Sequence, residues 1–408
     1  MRSLLLAAVG PLVALVLIAA WIRSRPPRFD FKTWTDALAR VPPLDQLPFT
    51  PLLTCEPSTS LLMSRFDWHV VPISAWVNGT SHCGRVDDLP WVNGTGSHDD
   101  PHTVWAAPHA LPRLLELAEQ RFDTKRADRV VVFSGTEMPL SVAFGRTQAE
   151  RNATVARLRR YFARILYQTK DIEVEGVRIA PIGLSWGYML RLLLEWLQEN
   201  SGSTHSAVDR LATWGLSFPL VALSSKTRGV LAVASQMNSW LDSERTLQDL
   251  KVFAGQELFP RSVSNSSTRA VAAAWESRAR LRAWARSPAA RAAGVELRML
   301  GAAEWWAALP LYRFLLAPVG AGVQTAKVVE ALLTLTVPVV QRMGFAAYDE
   351  LLALGFPIVL VRGWVEVTAE NTSQWWGRLS PRLESFRRNC LTVDGFWRIY
   401  VGLLSICV

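Results

Sequence analysis

The sequence predicts an α/β protein of two Rossmann-like lobes set behind an N-terminal transmembrane helix. Three observations carry this. The chain has 408 residues, half of them apolar and 19% charged, enough for two or three domains of ~150 residues each. Short apolar runs alternate with longer amphipathic ones on both sides of a Ser, Gly and Thr stretch at 200–206, the grammar of strand and helix in doubly wound sheets. Residues 4–22 are apolar without one charge. A disulfide miniprotein and a disordered chain are both excluded, the latter by 18 Trp and 16 Phe.

At ~1.5 Å per residue the 4–22 run approaches the ~30 Å hydrocarbon core of a bilayer. It exceeds a secretory signal core, and Ile18 stands where cleavage wants a small residue, so residues 1–22 are read as a cytoplasmic tip and an uncleaved signal anchor. Arg23, Arg25 and Arg28 follow the run and only Arg2 precedes it, a charge bias that by itself keeps the bulk of the chain cytosolic. Five Asn-x-Ser/Thr sites, at Asn78, Asn93, Asn152, Asn265 and Asn371, argue the other way. We side with a single-pass type II protein of the Golgi or endoplasmic reticulum membrane whose larger part is lumenal; a membrane-tethered cytosolic protein is the competing topology. Residues 23–51 hold Pro26, Pro27, Pro42, Pro43, Pro48 and Pro51 and read as a stem. The four cysteines are 55, 83, 390 and 407 without a CxxC; Cys55 with Cys83 is the first disulfide to test.

From residue 52 the elements follow in order. The run 129–134 (RVVVFS) reads as a buried strand, ending in a turn at Gly135-Thr136. Over 152–170, Val155, Leu158, Phe162, Ile165 and Leu166 recur at helical spacing. A strand over 177–182 ends at Gly183. The composition shift at 200–206 then divides a lobe of 52–205 from one of 206–408. In the second, 220–223 and 230–234 read as strands, 270–292 as a long Ala and Arg helix, 313–319 as a strand, 328–335 as a helix, and 337–340 and 357–361 as strands. The net charge of +9 is uneven: Arg269, Arg278, Arg280, Arg282, Arg286, Arg291 and Arg298 face only Glu276 and Glu296 in that segment. Such a face attracts phosphates or an anionic glycan, or is a solvated helix surface. Nothing suggests a nucleic-acid partner.

The most informative stretch is 313–340, RFLLAPVGAGVQTAKVVEALLTLTVPVV. It reads as strand, Gly320-x-Gly322 turn, helix opening near Gln324 or Thr325, and strand. Two glycines let backbone pass close to a ligand, and a helix start offers unpaired N–H groups and a positive dipole end to a phosphate. It lacks the third glycine of a dinucleotide fingerprint and any Walker GK[ST], so an ordinary strand-to-helix turn fits the spacing equally. Lys327 and Glu330, three apart on one helix face, are an intrahelical ion pair or a ligand pair.

Glu137 follows the predicted strand 129–134 at the carboxyl end where α/β proteins bind ligands, which makes it the candidate general base, against an ordinary turn glutamate. His69, and His98, Asp99, Asp100 and His102 in a Gly, Ser and Pro loop, offer metal-ligand chemistry, but the loop context argues against a site; no Asp-x-Asp occurs and no metal is expected. Trp305-Trp306 and Trp375-Trp376 could stack on sugars or pack in a core.

The residues from Phe314 through Gly320, Thr325, Lys327, Glu330-Ala331-Leu332 and Val337-Pro338-Val339, with Tyr348, Phe356-Pro357-Ile358-Val359 and Trp364-x-Glu366-Val367-Thr368, resemble the carboxy-terminal half of exostosin-like glycosyltransferases and are similar to the ribitol xylosyltransferase group. Val131-Val132-Phe133-Ser134-Gly135 and Ile179-Ala180-Pro181-Ile182-Gly183-Leu184 resemble the other lobe of related proteins. The resemblance implies a metal-independent GT-B glycosyltransferase that moves a sugar from a nucleotide-sugar to a glycan or glycoprotein acceptor. It makes 52–205 the acceptor lobe and 206–408 the donor lobe. Gly320, Gly322, Thr325 and Lys327 would then hold the diphosphate and Glu330 the ribose. Lys327 stands where the family commonly has another basic residue, often Arg. Ser185-Trp186-Gly187-Tyr188 and Thr136-Glu137-Met138-Pro139 replace an Asp and a His, and acidic residues, respectively. These departures favour the alternative, a non-catalytic binding protein that keeps the fold.

Overall fold

The structure, a computed structural model, describes residues 47–50, 61–70, 75–77, 80–82, 100–185 except 127 and 136, 221–233, and 266–408 except 321. The expected membrane helix, most of the stem, the boundary at 200–206, Cys55, Cys83, Asn78, Asn93 and Asn265 lie outside these residues. Among the described residues no helix is long and apolar enough to cross a membrane.

The first lobe contains β1 (Phe49–Thr50), α1 (Leu61–Ser64), β2 (Trp68–Val70), β3 (Ala75–Val77), β4 (Thr80–His82), β5 (Thr103–Ala106), α2 (Leu111–Arg121), β6 (Val130–Phe133), α3 (Leu140–Ala143), α4 (Gln148–Arg159), β7 (Arg164–Tyr167), β8 (Val177–Ile179) and β9 (Leu184–Ser185). Its main sheet is parallel, in the order β2-β5-β6-β7-β8. The strand at 129–134 forms with every residue of β6 buried, as an all-apolar, valine-rich run requires. The predicted helix over 152–170 does not extend so far. A Thr147 to Glu150 capping box starts α4 four residues earlier, and the chain leaves the helix after Arg159 so that Ile165, Leu166 and Tyr167 can enter the sheet. Of the five apolar residues at helical spacing, Val155 and Leu158 belong to the helix, Ile165 and Leu166 to the next strand, and Phe162 to the connection between them, because a short apolar run is compatible with either period.

The second lobe contains β10 (Arg228–Val233), α5 (Ser266–Ala285), α6 (Pro288–Ala292), β11 (Val295–Arg298), α7 (Ala302–Ala308), β12 (Tyr312–Ala317), α8 (Ala326–Leu333), β13 (Val337–Gln341), α9 (Ala347–Ala353), β14 (Val359–Val361), α10 (Ala369–Cys390) and α11 (Val393–Val401). The sheet is parallel, in the order β11-β10-β12-β13-β14. Of the predicted strand at 220–223, residue 220 lies outside the described residues, and 221–222 are coil leading into a 3-10 turn, Leu223–Ser225. The long helix at 270–292 is two helices, since Ser287 caps a new one that begins at Pro288.

Strand order distinguishes the lobes. In the first sheet the strands lie side by side in chain order, so right-handed crossovers through α2 and α4 put both helices on one face. The other face is covered from the far end of the chain. Helix α11 packs on β6 and α1, Trp397 meets Phe66 edge-on at 5.1 Å, and the Tyr400 hydroxyl donates to Pro181 O at 2.8 Å. A disulfide, Cys390–Cys407, closes the segment that carries α11, and Cys407 N donates to Leu354 O of the second lobe at 2.8 Å. The second sheet instead reverses between β10 and β12, the 2-1-3-4-5 order of a doubly wound fold, and ligands in such sheets bind beyond the carboxyl ends of the strands at that reversal.

Candidate functional site

Beyond the carboxyl end of β12 the chain makes the turn that the two glycines predict. Gly320 and Val323 exchange both backbone hydrogen bonds, at 3.1 and 3.0 Å, and Gln324 N reaches Gly322 O at 2.7 Å. A Cβ on Gly320 would stand 2.1 Å from Gln324 O, so no other residue fits. Val323 has φ 65°, a left-handed conformation that a β-branched side chain strongly resists; the Tyr348 hydroxyl bonds its carbonyl at 3.1 Å. The turn thus sits at the switch point in a strained conformation held by its neighbours.

The turn abuts the first lobe. A Cβ on Gly322 would lie 3.3 Å from Glu137 Cγ and 3.3 Å from Thr169 Oγ1. Glu137, from the loop after β6, is therefore brought against the Gly320 to Gln324 turn across 185 residues of sequence. Its side chain is exposed, so the lobes leave an opening here. Although one side of it meets solvent, desolvation by the protein crowded around it pushes the Glu137 carboxyl above the usual glutamate range, with Arg278 opposing the shift.

Thr325 caps α8, accepting a bond from Lys327 N at 3.4 Å, and the Thr325 N–H faces the Tyr348 hydroxyl. The helix start is therefore less bare than the sequence implied, because two of its first amides are turned to the chain's own oxygens. Positive charge at the opening comes mainly from side chains. Lys327 is half-buried, and its Nζ lies 4.0 Å from the centre of the Trp305 ring. Among the described residues no carboxylate comes within ion-pairing distance of it. Burial lowers its pKa, Glu330 opposes that, and Arg278 adds to it. Arg278, on α5, is buried, and its charge is felt by Glu137, Lys327 and Tyr348 alike.

Glu330 is 4% exposed, and its Oε2 accepts the Trp305 indole N–H at 2.9 Å. Burial raises its pKa, opposed by Lys327 and by the indole bond. Enclosed in this way, it fixes Trp305, on whose ring Lys327 rests, and is poorly placed to meet a ribose hydroxyl, the role the resemblance implied. Trp305 and Trp306 are core residues at 4% and 8% exposure. Trp375 and Trp376 pack against Phe314 at 6.4 and 5.8 Å.

Other sequence candidates among the described residues are engaged elsewhere; His98 and Asp99 lie outside those residues. His69 Nε2 bonds Met63 O at 2.7 Å inside the core. Asp100 pairs with Arg129 and Arg126, and His102 with Asp128 at 3.0 Å; among the described residues no three His, Cys, Asp or Glu side chains could hold a metal. Asn152 is exposed on α4, whereas the Asn371 Nδ2 donates to Glu366 O at 2.7 Å. Sequence reasoning noted Arg278 only as one of seven arginines and Gln324 only as a helix start, and it missed Gln168 and Thr169, which local spacing does not connect to the turn.

No family model matches the chain, and no curated protein matches it. Among solved structures it is similar to Anabaena Alr3699/HepE, whose crystal structure is a complex with UDP-glucose: 10% identity, TM-score 0.26, and 75% of each chain covered. The similarity is too slight to carry a ligand or a residue role across. What the fold and the site define is a class, an α/β protein whose described residues form two parallel five-stranded sheets with charged side chains gathered where they meet.

Proposed function

We propose that this protein is a glycosyltransferase of GT-B type, transferring a sugar from a nucleotide-sugar to a hydroxyl acceptor. One observation carries the reading. The switch-point turn with Lys327 and Arg278 on one lobe meets a solvent-reached carboxylate, Glu137, on the other. Transfer needs two things at once, cation to stabilise the departing diphosphate and a base for the acceptor hydroxyl. In this reading Lys327 and Arg278 supply the first and Glu137, with its raised pKa, the second. Gly320 closes the turn and Gly322 lets it come up against Glu137 and Thr169, Thr325 fixes the start of α8, and Glu330 fixes Trp305, the ring on which Lys327 rests. The acceptor approaches from the 52–205 side. A lumenal setting in the secretory pathway, with the chain anchored by its N-terminal segment, is supported by the Cys390–Cys407 bond, since disulfides persist in oxidising compartments.

The test uses the full chain expressed in a secretory host, titrated with UDP, GDP and CMP, then incubated with the corresponding sugar nucleotides. Saturable binding of one nucleotide with release of its sugar supports the enzyme. Binding without any turnover supports a non-catalytic binding protein. No binding of any nucleotide ends the proposal.

A further inference from the structure

The edge of the first sheet is closed by side chains of the second lobe. Among the described residues strand β8 is the outermost strand of its sheet, and on its far side no described strand pairs with it, a position that folded proteins cover or occupy. The Ile179 N–H on that side donates to Glu350 Oε2 of α9 at 2.8 Å, and Glu350 Oε1 pairs with the buried Lys170. Just beyond the strand, the Ile182 N–H donates to Gln324 Oε1 at 3.1 Å. The two donors of the same Gln324 amide go to Gln168 O at 2.5 Å and Ala180 O at 2.9 Å. Gln324 is 5% exposed, and the three bonds engage both ends of its amide.

Gln324 is also the last residue of the Gly320 to Gln324 turn. Gln168, which it holds, in turn accepts from the Ser134 hydroxyl and from Gly135 N at 3.4 Å through its own Oε1. Ser134 and Gly135 lead directly to Glu137. A continuous set of hydrogen bonds therefore runs from the glycine turn of one lobe, through Gln324 and Gln168, to the loop that carries the carboxylate of the other.

We propose that Gln324 is the positioning residue that keeps the turn in register with Glu137, touching neither donor nor acceptor itself. Glu350 is a second, outer clamp on the same strand edge. The inference deepens the glycosyltransferase reading and rests on it for its catalytic consequence, while its structural half stands independently. Removing the Gln324 amide frees three main-chain groups at the ends of β7 and β8 and lets the turn drift from Glu137. Geometry across the opening suffers, whereas the cations that meet the diphosphate stay on their own lobe.

The experiment compares Gln324→Ala and the isosteric Gln324→Glu with the parent full chain. Amide exchange at Ile182, the affinity for the nucleotide that the parent binds, and turnover of its sugar nucleotide are each measured. For Gln324→Ala the expected results are exchange at Ile182 at least tenfold faster, nucleotide affinity within threefold of the parent, and kcat down at least twentyfold. Gln324→Glu keeps the acceptor for Ile182 and loses both donors, so it should retain protection there and still lose kcat; it also serves if the alanine variant does not fold. Unchanged Ile182 protection in Gln324→Ala overturns the clamp. Unchanged kcat in both variants, or affinity falling in step with kcat, overturns the positioning role. If the parent neither binds nor turns over a nucleotide, the functional reading fails, and the clamp is judged on Ile182 exchange alone.

Discussion

Replacing Lys327 separates a ligand-binding role from a structural one, because the two predict opposite pairs of results. The Lys327 ammonium rests on the Trp305 ring with no carboxylate at ion-pairing distance among the described residues, and burial already lowers its pKa. It is charge held in readiness at some cost to the folded state. A charge-assisted hydrogen bond to a diphosphate contributes about 1.5–3 kcal/mol, so Lys327→Met should weaken nucleotide binding roughly 10- to 100-fold at 1.4 kcal/mol per decade. By itself this change leaves the buried Glu330 carboxylate without its nearest cation. The cleaner variant is therefore Lys327→Met with Glu330→Gln, which keeps an acceptor for the Trp305 indole. Burial penalises the charge of both Lys327 and Glu330, and exchanging such charges together for neutral groups of similar shape is commonly neutral or stabilising, so the double variant should unfold at the parent's denaturant midpoint or above it while still losing nucleotide affinity. The pH dependence gives a second check. An acid whose folded pKa is raised binds its proton more readily when folded, so the parent loses stability as pH climbs from the usual glutamate value through the raised one. A chain carrying Glu330→Gln lacks that loss. Titration calorimetry with the bound nucleotide, alongside urea unfolding at several pH values, reads both quantities. Affinity within twofold of the parent in both variants refutes the placement of the diphosphate at Lys327.

Other outcomes follow from the same geometry. Turnover should rise with pH through the raised pKa of Glu137, since only the carboxylate can accept a proton, and Glu137→Gln should lower kcat by about 10²–10⁴ with folding intact; a flat pH profile, or full activity in the variant, removes Glu137 as the base. Gly320→Ala places a methyl against Gln324 O and should cost about 1–3 kcal/mol as the turn opens, with an unchanged unfolding midpoint counting against the tight turn. The buried Lys226 donates to Thr334 O and Thr336 Oγ1 and has its pKa lowered to about 7 by burial. The unfolded chain then holds one more proton at this site, so stability should rise by up to about 2 kcal/mol between pH 7 and 9. Lys226→Met should flatten that slope; equal slopes would mean that the lysine is solvated.

What the sequence revealed about this fold was local. Val130–Phe133, Tyr312–Ala317 and Val337–Gln341 are runs whose composition leaves little choice but a buried strand, and Gly320-x-Gly322 with Thr325 announced both the turn and the cap. Strands with mixed composition were invisible. Thr103–Ala106 follows a polar loop, and Val295–Arg298 carries alternate charges that hid it behind the Arg-rich helix. Pairings over long separations were equally out of reach. Nothing near Cys390 or Cys407 indicates that they bond to each other, and Gln324 reads as an ordinary helix-start residue until Gln168, Ala180 and Ile182 are seen around it.

The strand order of the first sheet explains why these distant contacts exist. A sheet wound in chain order buries one face under its own helices and leaves the other bare, and here the second lobe supplies the cover through α11. The same lobe also closes the β8 edge through Gln324 and Glu350. The first lobe is therefore finished, on a face and on an edge, by parts of the second. Two such lobes do not hinge freely about a linker, since opening them exposes apolar surface around Phe66 and Trp397 and strands main-chain groups at Ile179 and Ile182. Any ligand that moves the Gly320 to Gln324 turn acts on an element already bonded to the other sheet. In this chain the register between turn and carboxylate is thus a property of the folded state, present before a ligand arrives.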